Sequence, residues 1–128
     1  MIQPFSGGAR KNWPLERFQE VARALPMPVH WCAGPEEALE GAVRIDDLYE
    51  LACWLASARL FMGNDSGITH LAAATGAPVV VLFGPTDPAV WAPRGPRVRI
   101  VATSRPGEPI ESIPVAAVLE AGVRLGVA

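Results

Sequence analysis

The chain has 128 residues, enough for one α/β domain with a sizeable core and too few for two. Half of it is hydrophobic and 19% is charged, and 11 basic against 13 acidic residues leave a formal charge of −2, which excludes the basic footprint of a nucleic-acid binder. No apolar run reaches the roughly 18 to 20 residues of a membrane span, and Met1 to Gly8 lacks the charged stretch and apolar core of a signal peptide, so a cytoplasmic location is expected.

Strand-like and helix-like segments alternate along the chain. Met1 to Phe5 reads as a short strand that runs into the glycine loop Ser6-Gly7-Gly8. Pro14 opens a helix, as proline does in a first turn, with Leu15, Phe18, Val21, Ala22 and Leu25 as its apolar stripe. Pro26 and Pro28 end it, Pro28 to Cys32 forms a second short strand, and Ala33-Gly34-Pro35 turns away from it. A short helix over Glu36 to Glu40 and a third strand over Ala42 to Ile45 are expected next. Asp46 or Asp47 then caps a helix with Leu48, Leu51, Ala52 and Leu55 on one face.

Arg59 to Met62 reads as a buried strand, and Gly63-Asn64-Asp65-Ser66-Gly67 leads from it into an apolar helix that ends near Thr75-Gly76. Pro78 to Phe83 is the most strand-like run, because Val79 to Leu82 are contiguous apolar residues of the kind a doubly covered central strand requires. Arg97 to Val101 is the last strand, and after the stretch around Pro106 a helix over Ile113 to Val123 closes the chain. The pattern predicts one domain over residues 1–128: a Rossmann-like parallel sheet of about six strands with helices on both faces. Ligands of such sheets bind beyond the carboxyl ends of the strands, so the loops after Phe5, Cys32 and Met62 are where a site is expected. Cys32 and Cys53 form no CxxC, and both read as buried thiols.

Four elements could carry chemistry. The strongest is the run from Asn64 to Ala74. Asp65 is the N-cap candidate, Ser66 and Gly67 begin the helix, and their free amides together with the helix dipole suit a phosphate. Gly67 lets an anion approach the backbone, and Ser66 and His70, four residues apart, face the same way. The second element is Ser6 to Pro14, a glycine loop followed by Lys11, the only lysine among the 11 basic residues. It is neither a Walker loop nor a GxGxxG loop. The third is Gly34-Pro35-Glu36-Glu37, where Glu36 or Glu37 could accept hydrogen bonds from a ribose or simply favour a helix start. The fourth is the stiff, proline-rich stretch Phe83-Gly84-Pro85-Thr86-Asp87-Pro88 with Trp91, Pro93 and Gly95, which could line the site or face a partner domain.

In this order the elements resemble the carboxyl-terminal half of glycosyltransferase family 9, the bacterial ADP-heptose:lipopolysaccharide heptosyltransferases. The likeness covers nearly the whole chain. Its core is Gly63 to Ala74, continuing through Gly76-Ala77-Pro78 to Leu82-Phe83-Gly84-Pro85-Thr86, and Lys11-Asn12-Trp13-Pro14 is similar to the family's lysine–variable–tryptophan–proline signature. The resemblance implies the second domain of a GT-B fold, which holds the donor nucleotide sugar while an amino-terminal domain holds the acceptor. It also implies inverting transfer without a metal or other cofactor, with an ADP-sugar (by family default ADP-heptose) as substrate and lipopolysaccharide core or another envelope glycan as acceptor.

By position, Ser6 and Gly7 would contact phosphate, Lys11 the phosphate or sugar, Glu36 (or Glu37) the nucleoside, Asp65 the sugar, and Ser66, Gly67 and His70 the diphosphate. No catalytic base is expected in this sequence, since the family's general-base carboxylate belongs to the amino-terminal domain. The isolated domain is therefore expected to be inactive and to self-associate through the face where that domain would dock. The full-length enzyme is expected in the cytoplasm, peripheral to the inner membrane. A stand-alone, non-catalytic nucleotide-binding or interaction module using the same loops is the alternative reading. A response-regulator reading fails, because no acidic cluster follows the first strand.

Overall fold

The computed structural model describes residues 1–84, 88–93, 95–105 and 107–126. The expectations placed on Pro85-Thr86-Asp87, on the Trp91 side chain and on Pro106 fall outside what it describes. Four strands, β1 (Ile2–Gln3), β2 (Phe61–Asn64), β3 (Val79–Phe83) and β4 (Val98–Ala102), form one sheet in that spatial order. All its pairings are parallel, with Ile2 opposite Met62, Phe61 opposite Val79 and Val79 opposite Val98. Five α-helices accompany them: α1 (Leu15–Ala24), α2 (Leu48–Ala56), α3 (Gly67–Ala74), α4 (Pro88–Trp91) and α5 (Val115–Arg124).

Alternation along the central strands explains the two-layered core. Met62, Val80 and Leu82 point to one face, where Phe18 and Val21 of α1 and Val118 and Ala121 of α5 cover them. Phe61, Val79, Val81 and Phe83 point to the other, against Leu51 and Leu55 of α2 and Ala72 and Ala73 of α3. Every residue of β3 is buried, so the unbroken apolar run follows from its having helices on both sides. On the first face Trp13 meets Phe18 edge-on with ring centroids 4.9 Å apart, and its indole N–H donates to the Ile113 carbonyl at 3.0 Å. That contact ties the first loop to the turn before α5. β4 is the edge strand, and exposed Arg97 and Arg99 flank its start, a charge pattern that discourages pairing with another chain.

The strand count differs from expectation: among the described residues the sheet has four strands, where about six were expected. The segment expected as the second strand makes two isolated parallel bridges, Trp31 with Ile2 and Cys32 with Val43, and the second of these is the bridge of the expected third strand. Their ladder is short because Pro28 cannot donate a hydrogen bond and the turn at Gly34 follows at once. What remains is Ile2 N–H to His30 O at 2.9 Å, Cys32 N–H to Ile2 O at 2.9 Å, Val43 N–H to Trp31 O at 2.7 Å and Ala33 N–H to Val43 O at 3.2 Å. The expected helix over 36–40 is a series of turns, with Glu37 N–H to Gly34 O and Ala42 N–H to Leu39 O as its i→i+3 bonds, and Gly41 at φ 73° ends it. β2 lies two residues later than expected, and the proline-rich stretch contains the four-residue α4.

Two side-chain expectations are also corrected. Cys53 is exposed, because Leu51 and Leu55 take the inward face of α2 and place it outward; only Cys32 is buried. Leu48, expected inward, is 67% exposed at the first position of that helix. Of the two expected caps of α2, Asp47 serves, its carboxylate accepting from Glu50 N–H at 2.8 Å.

Candidate functional site

The chain path fixes where a ligand can enter. From β1 the backbone moves outward to the bridges at 31–32 and 43, then returns to the opposite side of β1 as β2. Two neighbouring strands whose connections leave in opposite directions open a crevice at their carboxyl ends, the switch point at which parallel sheets bind ligands. An open cleft of about 830 Å³ lies there, lined by Ser6 and Gly7 after β1, Gly34 to Glu37 after the first bridge, and Ser66, Gly67 and His70 after β2. Six of the eight expected site residues, Ser6, Gly7, Glu36, Ser66, Gly67 and His70, thus share one wall. A separate cavity of about 380 Å³ is formed at the amino ends of the strands by Met1, Leu25, Met27, Trp54 and Leu60, among others, and shares none of these residues.

The remaining two, Lys11 and Asp65, form the shoulder of the cleft. Asp65 is 8% exposed, and its carboxylate stands 3.8 Å from the Lys11 ammonium and 3.7 Å from His70 Nε2. One carboxylate therefore orients both groups that could bring positive charge to the mouth. Lys11 ends a 3-10 turn over Ala9–Lys11, with its amide donating to Gly8 O at 3.0 Å.

The mouth itself departs from expectation in one respect. Ser66, not Asp65, is the N-cap of α3: its hydroxyl oxygen accepts from Thr69 N–H at 3.3 Å. The first intrahelical bond runs from His70 N–H to Ser66 O at 3.1 Å, so the amides of Gly67 and Ile68 have no partner within the helix. Beyond its chain neighbours and the backbone of its own helix, a Cβ added at Gly67 would meet nothing within 4 Å, and Gly67 and Ile68 both line the open cleft. Gly63 is different. A Cβ there would stand 2.8 Å from Thr69 Oγ1, which donates to Asn64 O at 2.6 Å, so glycine is what lets β2 pass close under the first turn of α3.

Ser6 is tied within its own loop, its hydroxyl facing Asn12 Oδ1 at 2.6 Å and Gly8 O at 3.1 Å. In the third loop the two carboxylates separate. Glu37 Oε1 accepts from Gly34 N–H at 2.6 Å and closes the turn, while Glu36 is exposed at the cleft. Arg44 braces the same turn by donating to Gly34 O and Leu39 O at 2.6 and 3.0 Å. Cys32, beneath it, has its thiol pKa raised, first by burial and then by the Glu37 carboxylate, with the terminal amine opposing. Among the described residues no group of three His, Cys, Asp or Glu side chains is placed to hold a metal ion, and no helix is long and apolar enough to cross a membrane.

Sequence reasoning missed Asn64 and Gln3. Asn64 is 1% exposed; its Oδ1 accepts from Trp13 N–H at 3.0 Å and its amide donates to Pro4 O at 2.9 Å. It bolts the loop carrying Lys11 to the strand carrying Asp65. Gln3, 5% exposed, accepts from the Ser66 hydroxyl at 3.2 Å. The available signal was a polar residue near the carboxyl end of an otherwise apolar strand.

A parallel α/β domain with an amide-bearing cleft at its switch point defines a class of small-anion and nucleotide binders. The sequence profile of glycosyltransferase family 9 (heptosyltransferase) matches residues 1–113, and the chain belongs to that family. It is 34% identical over 93 residues to lipopolysaccharide heptosyltransferase 1 of Salmonella typhimurium, covering 61% of this chain and 29% of that protein. With lipopolysaccharide heptosyltransferase 3 of Escherichia coli K12 it shares 42% over 112 residues, covering 73% of this chain and 33% of that protein. The chain thus spans about a third or less of these curated relatives. The solved structure of E. coli heptosyltransferase WaaC with ADP superimposes with a TM-score of 0.82 at 22% identity, over 97% of this chain and 43% of that one.

Proposed function

We propose that this chain is the donor-binding, Rossmann-like half of a GT-B heptosyltransferase, holding an ADP-sugar for inverting transfer, without a metal, to a lipopolysaccharide or related envelope acceptor. The observation that carries the reading is the convergence of three loops, distant in sequence, on one cleft at the switch point, with open space over the Gly67 and Ile68 amides. That the WaaC structure was solved with ADP supports the choice of nucleotide.

The leaving group of such a transfer is a nucleoside diphosphate, whose charge grows as the glycosidic bond breaks. Fixed donors aimed at it stabilise that charge without reorganising. The α3 amides and Ser6-Gly7 would hold the diphosphate, with Lys11 and His70 adding charge-assisted contacts from the positions Asp65 sets. Glu36 would accept hydrogen bonds from the ribose, since Glu37 is engaged by Gly34. Asp65 would turn a carboxylate oxygen to the donor sugar only as Lys11 or His70 shifts toward phosphate. A base that activates the acceptor would come from an amino-terminal domain, so this chain alone would bind and not transfer. The full-length protein would work in the cytoplasm at the inner membrane, and the isolated domain would self-associate through its docking face.

Titration with ADP in a calorimeter and by thermal shift tests the reading. Binding and protection are expected in the wild type, with affinity lowered about tenfold or more in Lys11→Ala. Absence of heat and of protection at millimolar ADP contradicts it. Binding without transfer after an amino-terminal half is supplied would favour a non-catalytic module.

A further inference from the structure

Gln3 is a polar side chain of the cleft floor, and among the described residues its hydrogen bonding is half used. It ends β1, in register with Gly63 of β2, and is 5% exposed. Its Oε1 accepts from the Ser66 hydroxyl. The Ser66 hydroxyl also stands 3.2 Å from Thr69 Oγ1, which donates to Asn64 O; the Ser66 proton given to Gln3 sets the carboxamide with its oxygen toward α3 and its NH2 group away from it. That NH2 donates to no group among the described residues. Asn64, on the neighbouring strand, uses both ends of its carboxamide.

No fully buried side-chain nitrogen or oxygen among the described residues lacks a partner, so the Gln3 nitrogen reaches open space. The space Gln3 borders is the cleft. It lines both the main chamber, with Ser66, Gly67 and Gly34, and an extension of about 320 Å³ formed by Cys32, Ala33, Arg44 and Leu51, among others. It therefore lies between the amide mouth of α3 and the turn that carries Glu36. A carboxamide NH2 has two N–H donors and no acceptor, and facing an anion its bond is charge-assisted.

We infer that the Gln3 carboxamide is a further donor-binding residue that gives an N–H hydrogen bond to the phosphate on the nucleoside side of the bound diphosphate. This rests on the donor-site reading above. With one phosphate at the α3 amides and the ribose at Glu36, the phosphate that joins them passes over Gln3. The neutral donor complements Lys11: it selects a phosphate oxygen by position without adding charge, and its orientation is locked by the same serine that caps the helix.

Calorimetric titration of wild type, Gln3→Met and Gln3→Glu with ADP, alongside the melting temperature of each free protein, tests the assignment. Met keeps the length and loses both polar atoms. Glu keeps an oxygen for the Ser66 hydroxyl but replaces the NH2 with a carboxylate oxygen that repels phosphate. Expected are a loss of about tenfold in Gln3→Met and a larger loss in Gln3→Glu. A residue that merely orients Ser66 gives the reverse order, Gln3→Glu binding like wild type and Gln3→Met impaired, and that result overturns the inference. If Gln3→Glu fails to fold, unchanged affinity in Gln3→Met overturns it alone. Wild type that binds ADP beside variants that bind equally well refutes only the role of Gln3, whereas wild type that does not bind ADP refutes the donor-site reading and this inference together.

Discussion

Gly67→Ala separates what the mouth of α3 does for the fold from what it does for a ligand. Beyond its chain neighbours and the backbone of its own helix, the added methyl meets nothing within 4 Å, and Gly67 is not among the glycines with positive φ, so alanine fits the existing backbone. Alanine is favoured over glycine by up to about 1 kcal/mol in a helix interior, and it reduces unfolded-state freedom by about 0.4 to 1 kcal/mol. At the first helical position a gain of about 0.5 kcal/mol is reasonable, which raises the melting temperature by about 2 °C in a domain of this size. The same methyl occupies the space an oxyanion must enter to reach the Gly67 and Ile68 amides. Losing two such bonds, each worth about 1.5 kcal/mol or more to a charged group, predicts at least a hundredfold drop in ADP affinity. Thermal denaturation and calorimetric titration read both numbers. A variant that binds ADP like wild type refutes the claim that phosphate sits over these amides, and one that melts several degrees lower refutes the claim that open space lies there.

Other expectations follow from the same geometry. Asn64→Leu strands the Trp13 N–H and the Pro4 carbonyl, each an uncompensated buried group costing about 1 to 3 kcal/mol, so denaturant unfolding should show a loss of about 2 to 5 kcal/mol; a loss below 1 kcal/mol contradicts the bolting role. Cys53 should react with a maleimide in the native protein and Cys32 only after unfolding, as mass spectrometry of labelled peptides would show. Because burial raises the Cys32 thiol pKa in the folded state, the unfolded chain ionises first. The Cys32 contribution to stability should therefore be constant below the ordinary thiol value and decline as pH rises past it, and Cys32→Ser should lessen that alkaline decline.

Much of the fold could be read in advance where a local pattern and its tertiary use coincide. Val79 to Phe83 is apolar at every position because helices cover both faces of β3, and the stripe of α1 buries Phe18 and Val21 as its spacing requires. The polar turn after β2 was equally plain. Which of its residues caps the helix was not, because Asn64, Asp65 and Ser66 are all competent caps and the choice is made by distant groups: Asn64 is taken by Trp13 and Pro4, Asp65 by Lys11 and His70. Gln3 escaped for the same reason, its partner lying 63 residues away. The segments at 28–32 and 42–45 read as strands because they are apolar, but Pro28 and the turn at Gly34 leave room for two isolated bridges between them and β1. Leu48 carried helical spacing yet lies at the first turn of α2, at the rim of the cleft. Periodicity cannot see a rim.

In a crystal structure with ADP bound, diphosphate oxygens are expected about 2.7 to 3.2 Å from the Gly67 and Ile68 amide nitrogens, with the Lys11 ammonium turned toward them and the ribose beside Glu36. Phosphates bound elsewhere, with those two amides facing solvent, would contradict a phosphate site at the mouth of α3.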